Sequence, residues 1–286
     1  MSLSVSNSIG FGCMSLNPNG SDNIDLLRRA AESGITFFDT ADLYDQGWNE
    51  EILGEALSPI RDKVQIATKV GNEWNEAGTD WKWNPTKEYI LKAVDESLAR
   101  LQTNYIDLYQ LHGGTLDDPI DETIEAFEVL KEQGKILNYG ISSIRPNVIK
   151  EWIKKSNMSS VMMQYSLLDR RPEEECLDML EQAVISVITR GSLAKGMLID
   201  KEAKEYLGYS KDQVQKMKEA VSRTENPLSA SIQYVQQHPV ISHPIIGIRT
   251  FEQLNEVITS CDVIIPDNEL EELGQVLEPN VYEKHR

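Results

Sequence analysis

The feature that most limits what this chain can become is the regular exchange of short apolar runs with longer amphipathic ones. Strand-like runs occupy 35–41 (ITFFDTA), 64–70 (VQIATKV), 105–112 (YIDLYQLH), 136–142 (ILNYGIS), 161–168 (VMMQYSLL), 185–190 (ISVITR) and 242–248 (SHPIIGI), with a weaker one at 6–14 (SNSIGFGCM). Their nearly unbroken apolar character is that of parallel strands buried on both faces. Between them the period turns helical. Leu26, Leu27 and Ala30 lead to Gly34, and Pro85-Thr86 precede an apolar face of Ile90, Leu91, Val94, Leu98 and Leu101. The stretch 121–134 ends on Gly134, and 145–156 carries Pro146 near its start; further helical patterns follow at 172–183, 228–237 and 250–258. Strands alternating with about as many helices predict an α/β fold with a parallel sheet. With 286 residues the simplest form is one (β/α)8 TIM barrel spanning 1–286, since such barrels need about 250 residues.

Charge narrows the function. The chain has 28 Lys and Arg against 46 Asp and Glu, a net charge of −18. That excludes nucleic acid and anionic membranes as main partners, which require a basic footprint. A single phosphorylated ligand needs only a local cation or a helix N-terminus and stays open. Three cysteines, Cys13, Cys176 and Cys261, form no CxxC pair and have no histidine cluster beside them; no disulfide frame and no metal site is expected. The opening MSLSVSNSIGFGC lacks the features of a signal peptide, and no run approaches the ~18 apolar residues of a membrane span. The expectation is a soluble, cytoplasmic protein, monomeric or a small homo-oligomer.

The polar residues that close the apolar runs carry the chemistry. Asp39, Lys69, His112, Gln164 and Arg190 each come late in a different run. In a barrel the C-terminal strand ends share one mouth, so these side chains would face a common cavity, with Tyr44 bending back over it. Buried Lys69 and Asp39 are expected to pair, and such a pair taken alone is more often structural than catalytic. A cation beside a phenol is expected to lower its pKa, making Tyr44 a better proton donor. A neutral His112 would then orient a substrate oxygen. Such a site protonates a developing alkoxide but holds no electrons of its own, so a reduction needs a hydride carrier.

These residues sit in stretches that resemble the aldo-keto reductases over nearly the whole chain: GFGCMSL (10–16), ITFFDTADLYDQGWNEEILGEAL (35–57), IATKVG (66–71), SLARLQTNYIDLYQLH (97–112), ETIEAFEVLKEQGKILNYGIS (122–142), MMQYSLLDRR (162–171), GSLAKGML (191–198) and GIRTFEQLNEV (247–257). The phrases DLYQLHGG and YGISSIRPNVIK are similar to an uncharacterised bacterial subgroup of that family. The resemblance implies a barrel of aldo-keto reductase type and a catalytic tetrad of Asp39, Tyr44, Lys69 and His112, acting on a small-molecule carbonyl substrate. It also implies a shortened N-terminal hairpin at the barrel bottom.

The cofactor it implies is NADPH/NADP. Gly12, Cys13, Met14 and Asp39 would approach it at the first strands, and Ser142, Ser143 and Gln164 would hold the nicotinamide amide. Arg190, Gly191, Ser192, Leu193 and Lys195 match the loop over the pyrophosphate. Gly247, Ile248, Arg249, Gln253 and Glu256 match the adenosine phosphate site, with the fork of Arg249 suited to a 2′-phosphate. The family's Ser-Asn pair is Ser142-Ser143 here, Val257 stands where Asn is common, and the tyrosine often found near Arg190 for stacking on nicotinamide is missing.

Two insertions follow strands at the expected active end. Residues 71–85 are rich in tryptophan and lack periodicity, and 196–227 include a charged helical stretch. Trp74, Trp81 and Trp83 are candidate substrate contacts, as is Trp48 near Tyr44; the alternative is that they pack their own loops. Two other functions fit parts of the pattern. One is an aldolase-type lyase with Lys69 as Schiff-base nucleophile. The other is a nicotinamide-binding redox sensor with little turnover.

Overall fold

The apolar runs become parallel strands that close on themselves. In the computed structural model, which describes residues 9–286, the strands are β1 (Gly10–Gly12), β2 (Phe37–Asp39), β3 (Gln65–Val70), β4 (Asn72–Trp74), β5 (Trp81–Trp83), β6 (Ile106–Leu111), β7 (Ile136–Ser142), β8 (Ser160–Gln164), β9 (Ser186–Arg190) and β10 (Ile241–Gly247). Eight of them form a closed ring in the order β1-β2-β3-β6-β7-β8-β9-β10, with Gly10 of β1 opposite both Phe37 of β2 and Ile245 of β10. The helices are α1 (Asn23–Glu32), α2 (Trp48–Leu57), α3 (Lys87–Arg100), α4 (Ile120–Glu132), α5 (Pro146–Lys155), α6 (Cys176–Gln182), α7 (Lys211–Val221), α8 (Pro227–Gln236), α9 (Phe251–Ser260) and α10 (Asp267–Gln275). The (β/α)8 expectation holds. No helix among the described residues is long and apolar enough to cross a membrane.

Helix starts follow local chemistry. Thr86, Asn226 and Thr250 each accept a hydrogen bond from the third backbone N–H beyond them, and Ser210 forms a capping box with Gln213; a cap of this kind contributes about 1 kcal/mol. Pro146 and Pro227 take the first helical position, where a missing N–H costs no hydrogen bond.

Two apolar layers explain the unbroken runs. Phe37, Ala67, Leu108, Met162, Ile188 and Ile245 fill the ring as a cluster of their own. Their strand neighbours Phe38, Ile66, Tyr109, Val161, Val187 and Ile246 face outward into the larger core shared with the helices. Close strand contact requires glycine in places. A Cβ on Gly10 would lie 2.4 Å from Ile245 Cδ1, and one on Gly140 would lie 2.2 Å from the Ser160 carbonyl oxygen. At the N-terminal end of the barrel His243 stacks on Phe37 with ring centroids 4.5 Å apart. The shortened hairpin expected at that end falls outside the described residues.

The insertion at 71–85 differs from its sequence reading. It is an antiparallel hairpin, with Asn72 opposite Trp83 and Trp74 opposite Trp81. Its turn closes through Gly78, whose N–H donates to the Asn75 carbonyl from φ +65. The alternating Trp-Lys-Trp of β5 was its signal.

Gly140 and Gly134 separate steric from conformational demand. Gly140→Ala forces apart two strand backbones and is expected to lower the unfolding free energy by about 3 kcal/mol. Gly134 has φ +71 and nothing within 4 Å of a built Cβ, so Gly134→Ala should cost only about 1 kcal/mol. Urea denaturation of both variants measures the difference; equal losses would remove the steric account of Gly140.

Candidate active site

The strand ends deliver their polar residues to one cavity. Its volume is about 570 Å³, and it is lined by Asp39, Tyr44, Lys69 and His112 on one side and by Ser142, Ser143, Gln164, Arg190, Gly191, Lys195 and Gly247 on the other. Lys69 is fully buried, and its Nζ donates to Asp39 Oδ1 at 2.6 Å and to the Thr40 carbonyl at 2.7 Å. The same ammonium lies 5.2 Å from the centroid of the Tyr44 ring. Tyr44 in turn meets the His112 ring edge to face, centroids 5.7 Å apart.

A strained turn places Tyr44. Asp45, Gln46 and Gly47 follow it with φ of 48, 58 and 87°, three left-handed residues in succession. For Asp45 and Gln46 that conformation costs roughly 1–2 kcal/mol each, and it reverses the chain so that α2 starts at once. Buried polar struts hold the reversal. Glu50 accepts from Arg100 Nε at 2.7 Å and from Thr68 Oγ1 at 2.5 Å. Asn49 accepts from Thr40 Oγ1 at 2.9 Å and donates to the Cys13 carbonyl at 3.0 Å.

The electrostatics assign protonation states. Burial pulls the Lys69 pKa down, but the Asp39 carboxylate and Tyr44 outweigh it, and the pKa rises above the ordinary lysine value. His112 is driven down to about 3, first by burial and then by the charges of Lys69 and Arg190; it is a neutral imidazole throughout the physiological range. Its Nδ1 is buried without a partner among the described residues. Tyr44 departs from the sequence reading. The pull of Lys69 is present, but burial outweighs it and the phenol pKa is raised. The hydroxyl therefore keeps its proton until something takes it.

The residues expected near a cofactor divide into three groups. Gly12, Met14, Asp39, Ser142, Ser143, Gln164, Arg190, Gly191, Lys195 and Gly247 line the cavity. Cys13, Ser192, Leu193 and Ile248 lie behind it: Cys13 is buried with a thiol pKa pushed well up by burial, Ser192 meets Thr189 Oγ1 at 3.2 Å, and Leu193 and Ile248 pack on the core. Arg249, Gln253 and Glu256 lie on the exposed start of α9, where the Arg249 N–H donates to Gln253 Oε1 at 2.9 Å. Asp39, bound to Lys69, is the one carboxylate among the lining residues, so Arg190 and Lys195 leave the cavity positive. Lining glycines and three cations that meet no carboxylate among the described residues, Arg145, Arg190 and Lys195, fit an anionic nicotinamide dinucleotide.

Trp48, Trp74, Trp81 and Trp83 lie outside the cavity lining. Trp48 packs on the core, Trp81 is 47% exposed, and Trp83 backs the rim by covering Gly71 and Gly113 while its Nε1 donates to Asp118 at 2.9 Å. Lining residues with no sequence expectation include Leu43, Ile144, Arg145 and Tyr206. Tyr206 comes from the 196–227 insertion, and its hydroxyl accepts from Gln164 Nε2 at 2.8 Å. A Tyr-Leu-Gly-Tyr turn with Gly208 at φ +90 was the only signal for it.

Among the described residues Asp178, Glu181 and His238 are close enough to share an ion. The Val240 N–H donates to His238 Nδ1 at 3.4 Å, so Nε2 carries the hydrogen facing Asp178 at 3.3 Å. That tautomer is a hydrogen-bond donor and not a metal ligand.

Comparison with known proteins gives one consistent result. The model of the aldo/keto reductase family matches residues 8–278. An uncharacterized oxidoreductase of Bacillus subtilis, YqkF, is 47% identical over 97% of this chain and 95% of its own. The holo form of aldo-keto reductase AKR11C1 from Bacillus halodurans superposes with TM-score 0.93 at 45% identity, covering 98% of this chain and 95% of that one. The glycerol dehydrogenase AKR11B4 from Gluconobacter oxydans, 23% identical with TM-score 0.82 over 96% and 94%, shares the fold.

Two stability measurements test the site's electrostatics. Lys69→Met leaves Asp39 buried and unpaired and is expected to cost about 3–5 kcal/mol, most of it recovered in the Lys69→Met/Asp39→Asn double variant; a double variant no more stable than the single would contradict the pairing. Acid acts through His112. An unfolded histidine titrates near 6.5, so from pH 6.5 down towards 3 the unfolded chain binds the extra proton and stability falls by up to ~1.4 kcal/mol per pH unit. Denaturation midpoints of His112→Gln should fall less between pH 6.5 and 4.5 than those of the parent, and parallel curves would mean the imidazole is not held neutral.

Proposed function

The chain belongs to the aldo/keto reductase family of oxidoreductases, and from that premise we propose that it reduces aldehydes or ketones to alcohols with NADPH. The observation that carries this reading is the meeting of a protonated phenol, a charged lysine and a neutral imidazole at one cavity that also holds unpaired cations. We take 1–286 as one barrel domain, acting in the cytoplasm as a monomer or small homo-oligomer. Its three cysteines are free and buried, in keeping with a reducing compartment.

Bound NADPH would supply the hydride. Arg190 and Lys195 would neutralise its pyrophosphate, Ser142, Ser143 and Gln164 would hold its amide, and Arg249 would take the 2′-phosphate. His112 donates a hydrogen bond from Nε2 to the substrate carbonyl oxygen and sets its direction towards Tyr44. Tyr44 gives its proton as that oxygen gains charge, acting as general acid. The phenolate left behind forms beside the Lys69 ammonium, which is kept charged by Asp39. In the reverse direction the same phenolate is the base.

The competing readings find less support. A Schiff-base lysine needs a free amine, whereas Lys69 is protonated and bonded to Asp39 and Thr40. A redox sensor needs no proton donor, yet Tyr44 is held at the mouth by a turn that costs stability.

NADPH should quench the intrinsic fluorescence, and aromatic aldehydes, dicarbonyls or quinones should oxidise it; no quenching by either nicotinamide sinks the reading. Tyr44→Phe should lower kcat by about 10³-fold or more, as expected for a lost general acid that also organises the site, with NADPH affinity little changed. Retention of most of kcat would show another acid. Arg249→Ala should weaken NADPH about tenfold more than NADH, and equal losses would contradict the 2′-phosphate role.

A further inference from the structure

The cavity holds one cation that the proposed reaction does not use. Arg145 comes two residues after the Ser142-Ser143 pair begins to turn away from β7, and it lines the same cavity as Tyr44 and His112. Its Nη1 donates to the Gly114 carbonyl at 2.7 Å, which ties the guanidinium to the rim two residues beyond His112. Arg61, Arg100, Arg170 and Arg171, comparably buried, are each paired with a carboxylate. Arg145 has none within ion-pair distance among the described residues. In a chain with 46 acidic side chains, a partly buried arginine without one has its remaining donors turned to something else.

Position indicates what that is. Arg190 and Lys195 stand at the β9 end of the cavity, where the pyrophosphate is proposed to lie. Arg145 stands two strands away, past the end of β7, tied to the loop that follows His112 and next to apolar Ile144. A guanidinium fixed by one arm presents the rest of its fork in the plane that matches an oxyanion. We propose that Arg145 anchors an anionic group, carboxylate or phosphate, on the substrate, so that the preferred substrates are carbonyl compounds bearing an oxyanion. The activity arm of this proposal rests on the reductase reading; its binding arm does not.

The activity arm compares 4-carboxybenzaldehyde with methyl 4-formylbenzoate, and glyceraldehyde 3-phosphate with glyceraldehyde. The charged member of at least one pair is expected to have kcat/KM about tenfold or more above its neutral mate, mostly through KM. Arg145→Gln should erase that ratio and Arg145→Lys restore part of it, and the pair with the larger Arg145-dependent ratio identifies carboxylate or phosphate. Equal kcat/KM within both pairs, or a ratio that survives Arg145→Gln, overturns the proposal while leaving the reductase reading standing. If none of the four is reduced, binding decides, and the reductase reading is judged separately by the nicotinamide quenching. Calorimetry with the full chain and NADP should then give benzoate or inorganic phosphate at least about tenfold tighter affinity than benzamide, lost in Arg145→Gln. Affinities unchanged by that substitution overturn it.

Discussion

Everything at the mouth of this barrel depends on the bond between Lys69 and Asp39. The layer beneath them is apolar, formed by Phe37, Ala67, Leu108, Met162, Ile188 and Ile245, and an isolated charge on that layer would be expelled or neutralised. Pairing lets the ammonium persist there. The persistent charge then does two things: it helps hold His112 neutral, and it waits beside the phenol of Tyr44. Strand order makes this possible, because β2 and β3 are adjacent and bring their C-terminal ends side by side.

The second requirement is a backbone that spends stability to aim a side chain. Three left-handed residues after Tyr44 would not persist alone. They are held because α2 is fastened from below by Glu50, which joins Thr68 on β3 to Arg100 on α3, and by Asn49, which reaches back to the carbonyl after β1. Strain at the site and burial in its support are thus parts of one arrangement.

The fold and the meeting of Asp39, Tyr44, Lys69 and His112 at one mouth were legible for the same reason. Strands covered on both faces must read as apolar, so the rare polar residues Asp39, Lys69 and Gln164 within them mark a place where burial serves chemistry. Glycine, proline and capping residues marked most helix boundaries. α10 escaped because only Leu270 and Leu273 of its nine residues are buried, too few to form a period. The substrate side was less legible. Four tryptophans drew attention by size and rarity, yet Trp83 serves the rim from behind, while Tyr206 and Arg145 reach the cavity through loop geometry that no spacing encodes. The direction of the Tyr44 shift also escaped, since the sequence names the neighbouring cation but not the depth of burial that opposes it.

The contrast between a net charge of −18 and a positive cavity has a kinetic consequence. An anionic ligand approaching from afar meets a repulsive field and feels Arg190, Lys195 and Arg145 only near the mouth. Added salt, with a Debye length of about 10 Å at 0.1 M, screens the distant repulsion more than the short-range attraction. Encounter rates with such ligands therefore rise with moderate ionic strength, opposite to the usual sign of electrostatic steering. The distant field slows every anion alike, and the cations act only on what has already arrived.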